Sequence, residues 1–354
     1  MYAQVLENFG GTDAFEYKQV PTPTIKKPTD LIVKVKAIGT NPIEAKLRSG
    51  NLFSFLVKKN AILGADYAGI IVAKGDQVSD NAFKVGDAVF GKLHLPSGPQ
   101  GSYAEYILVS TTDDKAIAKK PENITFEEAA AVGIAGLTAL EGVYNRVPFT
   151  TLEKKEGEDR KILIIGASGG VGTYAIQMGK AIGAYVVGIC SARNASLVSE
   201  TLGADRVVDY NNEEDMTNLQ KEINSYDVVF DLVGSDSYYK KFIPLAKKKT
   251  GIFVTAAGPG EHFGSKKVGI FSYLSAGYTI LSRSLFGCSR YAMVAELPEH
   301  QFASIIAPWF ASGAVKSFIK PENVFDLKDV AKAHDQIESN RTAGKIVLQV
   351  TSNN

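Results

Sequence analysis

Ile162-Leu163-Ile164-Ile165-Gly166-Ala167-Ser168-Gly169-Gly170-Val171-Gly172 carries an unbroken apolar run into a turn made of small residues. The frame Ala167-x-Gly169-x-x-Gly172 follows the dinucleotide fingerprint, with alanine at its first glycine position. Small residues let the backbone approach a pyrophosphate, which then rests on the amides and positive dipole at a helix N-terminus. Short glycine motifs are common, so their surroundings decide what they mean. Working outward, helical spacing over 172–182 and 195–202 alternates with β-type runs at 162–165, 185–190, 206–209, 227–231, 252–256 and 278–281. That alternation predicts βαβ units and a doubly wound parallel sheet, an α/β domain in which the fingerprint lies between strand and helix.

An NAD site ordinarily places an acid about 20 residues beyond the fingerprint, where it holds the ribose diol. Residues 185–199 contain no Asp or Glu; the run ends Cys190-Ser191-Ala192-Arg193-Asn194. A hydroxyl and a guanidinium suit a 2′-phosphate, and no carboxylate is present to repel it. The expected cofactor is therefore NADPH, with Ser168, Gly169, Gly170, Val171, Gly172, Ser191 and Arg193 among its contacts. A solvated helix-start residue is the alternative for Arg193.

The first third of the chain has a different texture. Short runs such as 31–37, 69–73 and 83–90 are separated by glycine turns, the pattern of a small, strongly bent β-barrel. Thr125 with Glu128 three residues later forms a capping-box signature ahead of an alanine-rich helix. The charged stretch 153–161 has no apolar period and is expected to be an exposed connection. Near the end, Asp326 is placed to cap a helix bearing Val330, Ala333, His334 and Ile337, and 344–350 reads as a last strand.

The balance of 39 basic and 38 acidic residues leaves a charge of +1, which disfavours nucleic acid as a partner. Hydrophobic residues make up 45% and charged ones 22%, an ordinary globular composition. Two cysteines, Cys190 and Cys288, are too few for a disulfide framework or a four-thiolate zinc site. The longest run of apolar and small residues, 129–140, is too short to span a bilayer. The first residues lack a basic region before an apolar run, so a cytoplasmic location is expected.

The order of these motifs resembles the medium-chain dehydrogenase/reductase superfamily. The resemblance rests on Gly39-Thr40-Asn41-Pro42-Ile43-Glu44-Ala45-Lys46, Gly64-Ala65-Asp66-Tyr67-Ala68-Gly69 and Val85-Gly86-Asp87-Ala88-Val89. It continues through Gly136-Leu137-Thr138-Ala139-Leu140, the fingerprint, Leu202-Gly203-Ala204-Asp205, Asp209-Tyr210 and Gly344-Lys345-Ile346-Val347. Within the superfamily the chain is similar to the zinc-free quinone oxidoreductase branch, above all to chloroplast-envelope-type quinone oxidoreductase homologues and alkenal/enone oxidoreductases. The resemblance implies a GroES-like bent β-barrel catalytic domain (1–124 and 315–354) and a Rossmann domain (125–314). Zinc-dependent members place ligands where Asn41, Ala65 and a residue near Ile134 stand here, so no metal is expected.

The implied chemistry is hydride transfer from NADPH to the double bond of an α,β-unsaturated carbonyl, or to a quinone. An enolate develops during that transfer, so a donor must face the carbonyl oxygen. Lys46 matches a family lysine near the nicotinamide ribose and the substrate carbonyl, and Asn41 would touch nicotinamide or substrate. A surface lysine is the alternative for Lys46, and core packing is the alternative to proton donation for Tyr67. Tyr210, Lys345 and Thr138 match positions near the cofactor, and the strand ends at Val233 and Ala257 are expected to line the nicotinamide pocket. Many quinone reductases carry tyrosine in place of Lys46, and relatives usually have Asp in place of Glu44. The partners implied are a small enone or quinone and a second copy of the chain, with 253–257 and 269–277 as candidate dimer edges. A nucleotide-binding regulatory protein of the same fold, without turnover, is the other reading.

Overall fold

The computed structural model describes residues 1–51, 54–94, 101–146, 160–259, 269–287 and 289–351. In chain order it begins with strands β1 (Tyr2–Leu6), β2 (Phe15–Gln19) and β3 (Asp30–Gly39), helix α1 (Pro42–Arg48), then β4 (Ala61–Ile62), β5 (Asp66–Lys74), β6 (Ala88–Lys92), β7 (Tyr106–Ser110) and β8 (Ala116–Lys119). Helices α2 (Phe126–Ala130) and α3 (Gly133–Leu140) follow. The alternating series is β9 (Lys161–Ile165), α4 (Gly170–Ala181), β10 (Tyr185–Cys190), β11 (Arg206–Asp209), α5 (Glu213–Gln220), β12 (Val228–Asp231), α6 (Asp236–Phe242), β13 (Ile252–Thr255), α7 (Ile270–Phe286) and β14 (Arg290–Met293). The chain closes with α8 (Ala307–Ser312), β15 (Val324–Asp326), α9 (Val330–Glu338) and β16 (Val347–Gln349).

Two compact units result. One holds Met1–Leu137 and the chain from Pro298 on; the other holds the described residues between them. The sequence boundaries at 124/125 and 314/315 differ from these because two helical segments belong with the β-rich unit. There α2 packs on β3, β5 and β6. Phe302 and Phe310, from the segment around α8, set their rings 5.0 and 6.4 Å from that of Phe90 on β6.

In the β-rich unit β15-β16-β3-β5-β6-β8 form one sheet, with β7 also paired to β3; β2-β1-β4 form another. Irregularities in the β3–β5 pairing at Ile32/Val33 and Val35/Ala37 sharpen the bend. The inward faces bury Leu31, Val33, Val35, Ile71, Val89, Ile107 and Leu348 in one core. The capping box forms: Thr125 Oγ1 accepts from Glu128 N–H and Glu128 Oε2 from Thr125 N–H. Asp326 Oδ1 accepts from Lys328 N–H at the helical turn ahead of α9.

The other unit is a six-stranded parallel sheet of order β11-β10-β9-β12-β13-β14, the doubly wound order that reverses direction beside its first strand. Two expectations are corrected here. Residues 278–281 lie within α7, and the sixth strand is β14. The run 253–257 is no edge, because β13 is buried between β12 and β14. The predicted connection 153–161 and Cys288 fall largely or wholly outside the described residues. Among those residues no helix is long and apolar enough to cross a membrane.

Candidate active site

The nucleotide-type turn lies between β9 and α4. Gly166 takes φ +84°, a left-handed conformation that side chains disfavour. A Cβ on Gly172 would run into the carbonyl oxygens of Gly166 and Ala167, so glycine is what lets α4 start this close to the strand. Gly169 caps α4 with extended backbone; no side chain caps it, and no acid occupies the first turn. Orphan amides and a positive helix end are thus left for an anion, which is the fit a cofactor pyrophosphate requires.

Beyond β10, Arg193 is exposed on the short turn Ala192–Asn194. Asn194 is buried, and its Nδ2 donates to Ser168 Oγ at 3.1 Å and lies 3.5 Å from Ser191 Oγ. It joins the fingerprint turn to the end of the second strand. Asp209, at the end of the neighbouring β11, accepts from Asn211 within its own turn, and Tyr210 is exposed. At the ends of β12 and β13, Asp231 Oδ1 accepts from Val233 and Gly234 N–H. Thr255 Oγ1 accepts from Ala257 and Gly258 N–H. Sequence reasoning named Val233 and Ala257 but missed Asn194, Asp231 and Thr255, which hold these turns. An acid and a threonine ending buried strands were the available signal for the last two. Thr138 is buried on α3.

In the β-rich unit a buried polar cluster gathers where β3 meets α1. Glu44 Oε2 accepts from Asn41 N–H at 2.6 Å, the reciprocal bond of a helix start. Asn41 Nδ2 donates to Asp66 Oδ2 at 3.0 Å, and Asp66 Oδ1 accepts from Ile134 N–H at 2.8 Å. Lys345 Nζ donates to Asn41 Oδ1 at 2.6 Å and to Thr40 O at 2.7 Å, and lies 3.9 Å from Asp66 Oδ2. The side chains of Asn41, Glu44, Asp66 and Lys345 are all buried. Burial, then repulsion from Asp66, pushes the Glu44 carboxyl up to about 8. Burial also raises Asp66 and lowers Lys345, each opposed by the other's charge. A Cβ on Gly133 would strike the Asp66 carboxylate, so a bare backbone there gives the acid its place.

Lys46 stands one turn further along α1. It is half-buried, and among the described residues its amine has no bonded partner; burial alone lowers its pKa. The other sequence candidates fall differently. Both ends of the Asn41 amide are engaged inside the protein, and the Lys345 ammonium is enclosed by oxygens of its own unit rather than presented outward. Tyr67 packs fully buried in the β-rich core, and among the described residues its hydroxyl has no hydrogen-bond partner. Cys190 is buried too, and that burial pushes its thiol up to about 11.

The families described as "Alcohol dehydrogenase GroES-like domain" and "Zinc-binding dehydrogenase" match residues 27–122 and 202–348. The "NAD(P)H oxidoreductase RTN4IP1, mitochondrial" of Danio rerio is 31% identical over 373 residues, covering 99% of this chain and 91% of its own. The chain belongs to the medium-chain dehydrogenase/reductase family. Within that family, the "NADPH-dependent alkenal/one oxidoreductase, chloroplastic" of Arabidopsis thaliana is 29% identical, with 98% of this chain and 79% of the relative covered. The solved quinone oxidoreductase of Coxiella burnetii superposes with a TM-score of 0.78 at 27% identity, covering 99% of each chain. At or near the positions where zinc-dependent members carry ligands, this family member has the Asn41 amide already held by Lys345, the Ala65 methyl group and the sec-butyl side chain of Ile134. Zinc is bound by thiolate, imidazole or carboxylate.

Proposed function

We propose that the chain is an NADPH-dependent reductase of α,β-unsaturated carbonyls, with quinones as a second acceptor class, that works without zinc. The observation carrying this reading is Lys46, a half-buried amine with no bonded partner among the described residues, mounted on a short helix whose start is held by a buried network. Such a cation is available to the carbonyl oxygen as negative charge develops there, and little reorganisation is needed at that moment. Names among the relatives, an alkenal/one oxidoreductase and a quinone oxidoreductase, support the acceptor classes.

Bound NADPH supplies the hydride for the β-carbon. The amides of Gly170, Val171 and Gly172 hold the pyrophosphate at the start of α4, and Gly169, its own amide bonded to Gly166 O, shapes the turn beneath it. Ser168, Ser191 and Arg193 receive the 2′-phosphate, with Asn194 fixing the two serine hydroxyls through its own bonds. Tyr210 borders the adenosine, while Val233, Ala257 and Thr138 border the nicotinamide. Lys46 donates a hydrogen bond to the substrate carbonyl and stabilises the enolate until the α-carbon takes its proton. Two further features belong to the same reading: a cytoplasmic location, and a homodimer. The edge position of β14 and the exposed Phe271, Leu274, Tyr278, Leu281 and Leu285 on α7 support the dimer.

Consumption of NADPH against short enones, longer alkenals, a benzoquinone and a simple aldehyde tests the reading. Oxidation by enones and the quinone but not by the aldehyde is expected; no oxidation by any enone or quinone sinks it.

A further inference from the structure

The charge of Lys345 has no role in the reading above, and its surroundings suggest one. Its ammonium touches the residues that begin α1, and the same segment of chain returns at the other end of that helix. Arg48, fully buried at the end of α1, pairs with Glu338 on α9, seven residues before Lys345. Thus α1 is tied at both ends to the last stretch of the chain by buried cations, and Lys46 stands between the ties. The helix has seven residues, about 10 Å of length, so a small rotation at either end moves the Lys46 amine.

The chemistry at the Asn41 end leaves one arrangement. An ammonium can only donate, so the amide oxygen of Asn41 must face Lys345; Asp66, accepting from Ile134 N–H, must face the amide nitrogen. Neither end of the amide can turn to a ligand without stranding a buried charge, which is costly. In zinc-dependent members the position of Asn41 and one near Ile134 carry zinc ligands. Here the Asp66 carboxylate joins them, and the Lys345 ammonium supplies the positive charge beside it.

We propose that Lys345 is a positioning residue. Acting through Asn41, its ammonium ties together the start of α1, the start of β5 and the start of α3, as a metal ion would, and so sets where the Lys46 amine stands. This deepens the reading of Lys46 as the donor to substrate and rests on it for the kinetic arm alone. It also moves Lys345 out of the set of cofactor contacts.

Acylation by sulfosuccinimidyl acetate across a pH series, read residue by residue by peptide mass spectrometry, tests this without turnover. In the unaltered protein Lys46 should acylate at lower pH than the exposed Lys58 and Lys59, and Lys345 should stay protected. Acylation of Lys345 ahead of Lys46 overturns the proposal. The variant Lys345→Met/Asp66→Asn removes both buried charges together, whereas Lys345→Met alone leaves the Asp66 carboxylate without its counter-charge. In the double variant the Lys46 acylation profile should move toward that of Lys58. Its kcat should drop by about tenfold or more with KM little changed, and NADPH affinity should stay within about twofold. A loss of NADPH affinity of about tenfold or more, with the Lys46 profile unmoved, makes Lys345 a cofactor ligand and overturns the proposal. An unmoved profile with unchanged affinity makes it a core residue only, and overturns it equally. If no enone or quinone is reduced but the profile moves, the proposal stands and the proposed acceptor chemistry falls.

Discussion

The fingerprint turn and the α1 cluster handle polarity in opposite ways. At the turn between β9 and α4 the protein removes side chains, until bare amides and an uncapped helix end are left for an outside anion. Around Asn41 it closes every bond internally, burying Glu44, Asp66 and Lys345 among their own partners. The first region, made by omission, leaves its donors open; the second, made by saturation, leaves its own closed. Polar residues inside an enzyme therefore do not all report contact with substrate. The test is whether their hydrogen-bonding capacity is already filled.

Breaking each region separately should give different signatures. The largest effect is expected from Lys345→Met, which leaves Asp66 without its counter-charge. Removing one partner from such a buried pair costs roughly 3–5 kcal/mol, to be read from urea unfolding, and adding Asp66→Asn should recover most of it. Next comes Gly172→Ala, whose methyl meets two carbonyl oxygens and pushes α4 off its strand. NADPH affinity, measured by fluorescence titration, should fall by about one to two orders of magnitude.

Lys46→Ala should lower kcat by about 100-fold while NADPH binding stays within about twofold, since it removes a donor used in the transition state. The intact enzyme needs Lys46 as an ammonium. Burial lowers its pKa, so turnover should be full near neutral pH and decline on the alkaline side, earlier than for an ordinary lysine near pKa ~10.4. A smaller and more selective effect is expected from Arg193→Ala, about tenfold weaker binding of NADPH with NADH unchanged.

A last effect concerns pH and stability. Glu44 binds its proton more tightly when folded, its pKa rising from 4.5 to about 8, so the folded state holds the extra proton between those values. Stability from this group is complete at low pH and is lost as pH rises through about 8. The melting temperature should fall across that window, and Glu44→Gln should flatten the slope.

Much of this was legible in residue order. Ile162–Ile165 ahead of small residues announced both the sheet and its ligand, because strand, turn and helix signals coincide within about a dozen positions. Thr125 and Glu128 marked a helix start, since a capping box needs only local bonds. Residues 278–281, Tyr-Thr-Ile-Leu, looked like a strand by composition. They are helical within α7, where Phe271, Leu274, Tyr278, Leu281 and Leu285 are exposed, so burial did not supply the usual helical period. The Asn41 cluster was the least visible part. Its members come from residues 40–44, 66, 134 and 345, and no local pattern announces which distant acid a lysine will meet. The one hint was Asp66 itself, an acid in the small apolar run of 64–69.

The proposed substrates give the burial of Cys190 a chemical meaning. Enones are Michael acceptors, and they alkylate thiolates. The chain has two cysteines in 354 residues, and at the described one, Cys190, burial keeps the sulfur protonated far above neutral pH. Thiolate is the nucleophile, so this sulfur is inert toward electrophiles that would cap an exposed, acidic cysteine. At this position the protein is proof against the reagents it is proposed to consume.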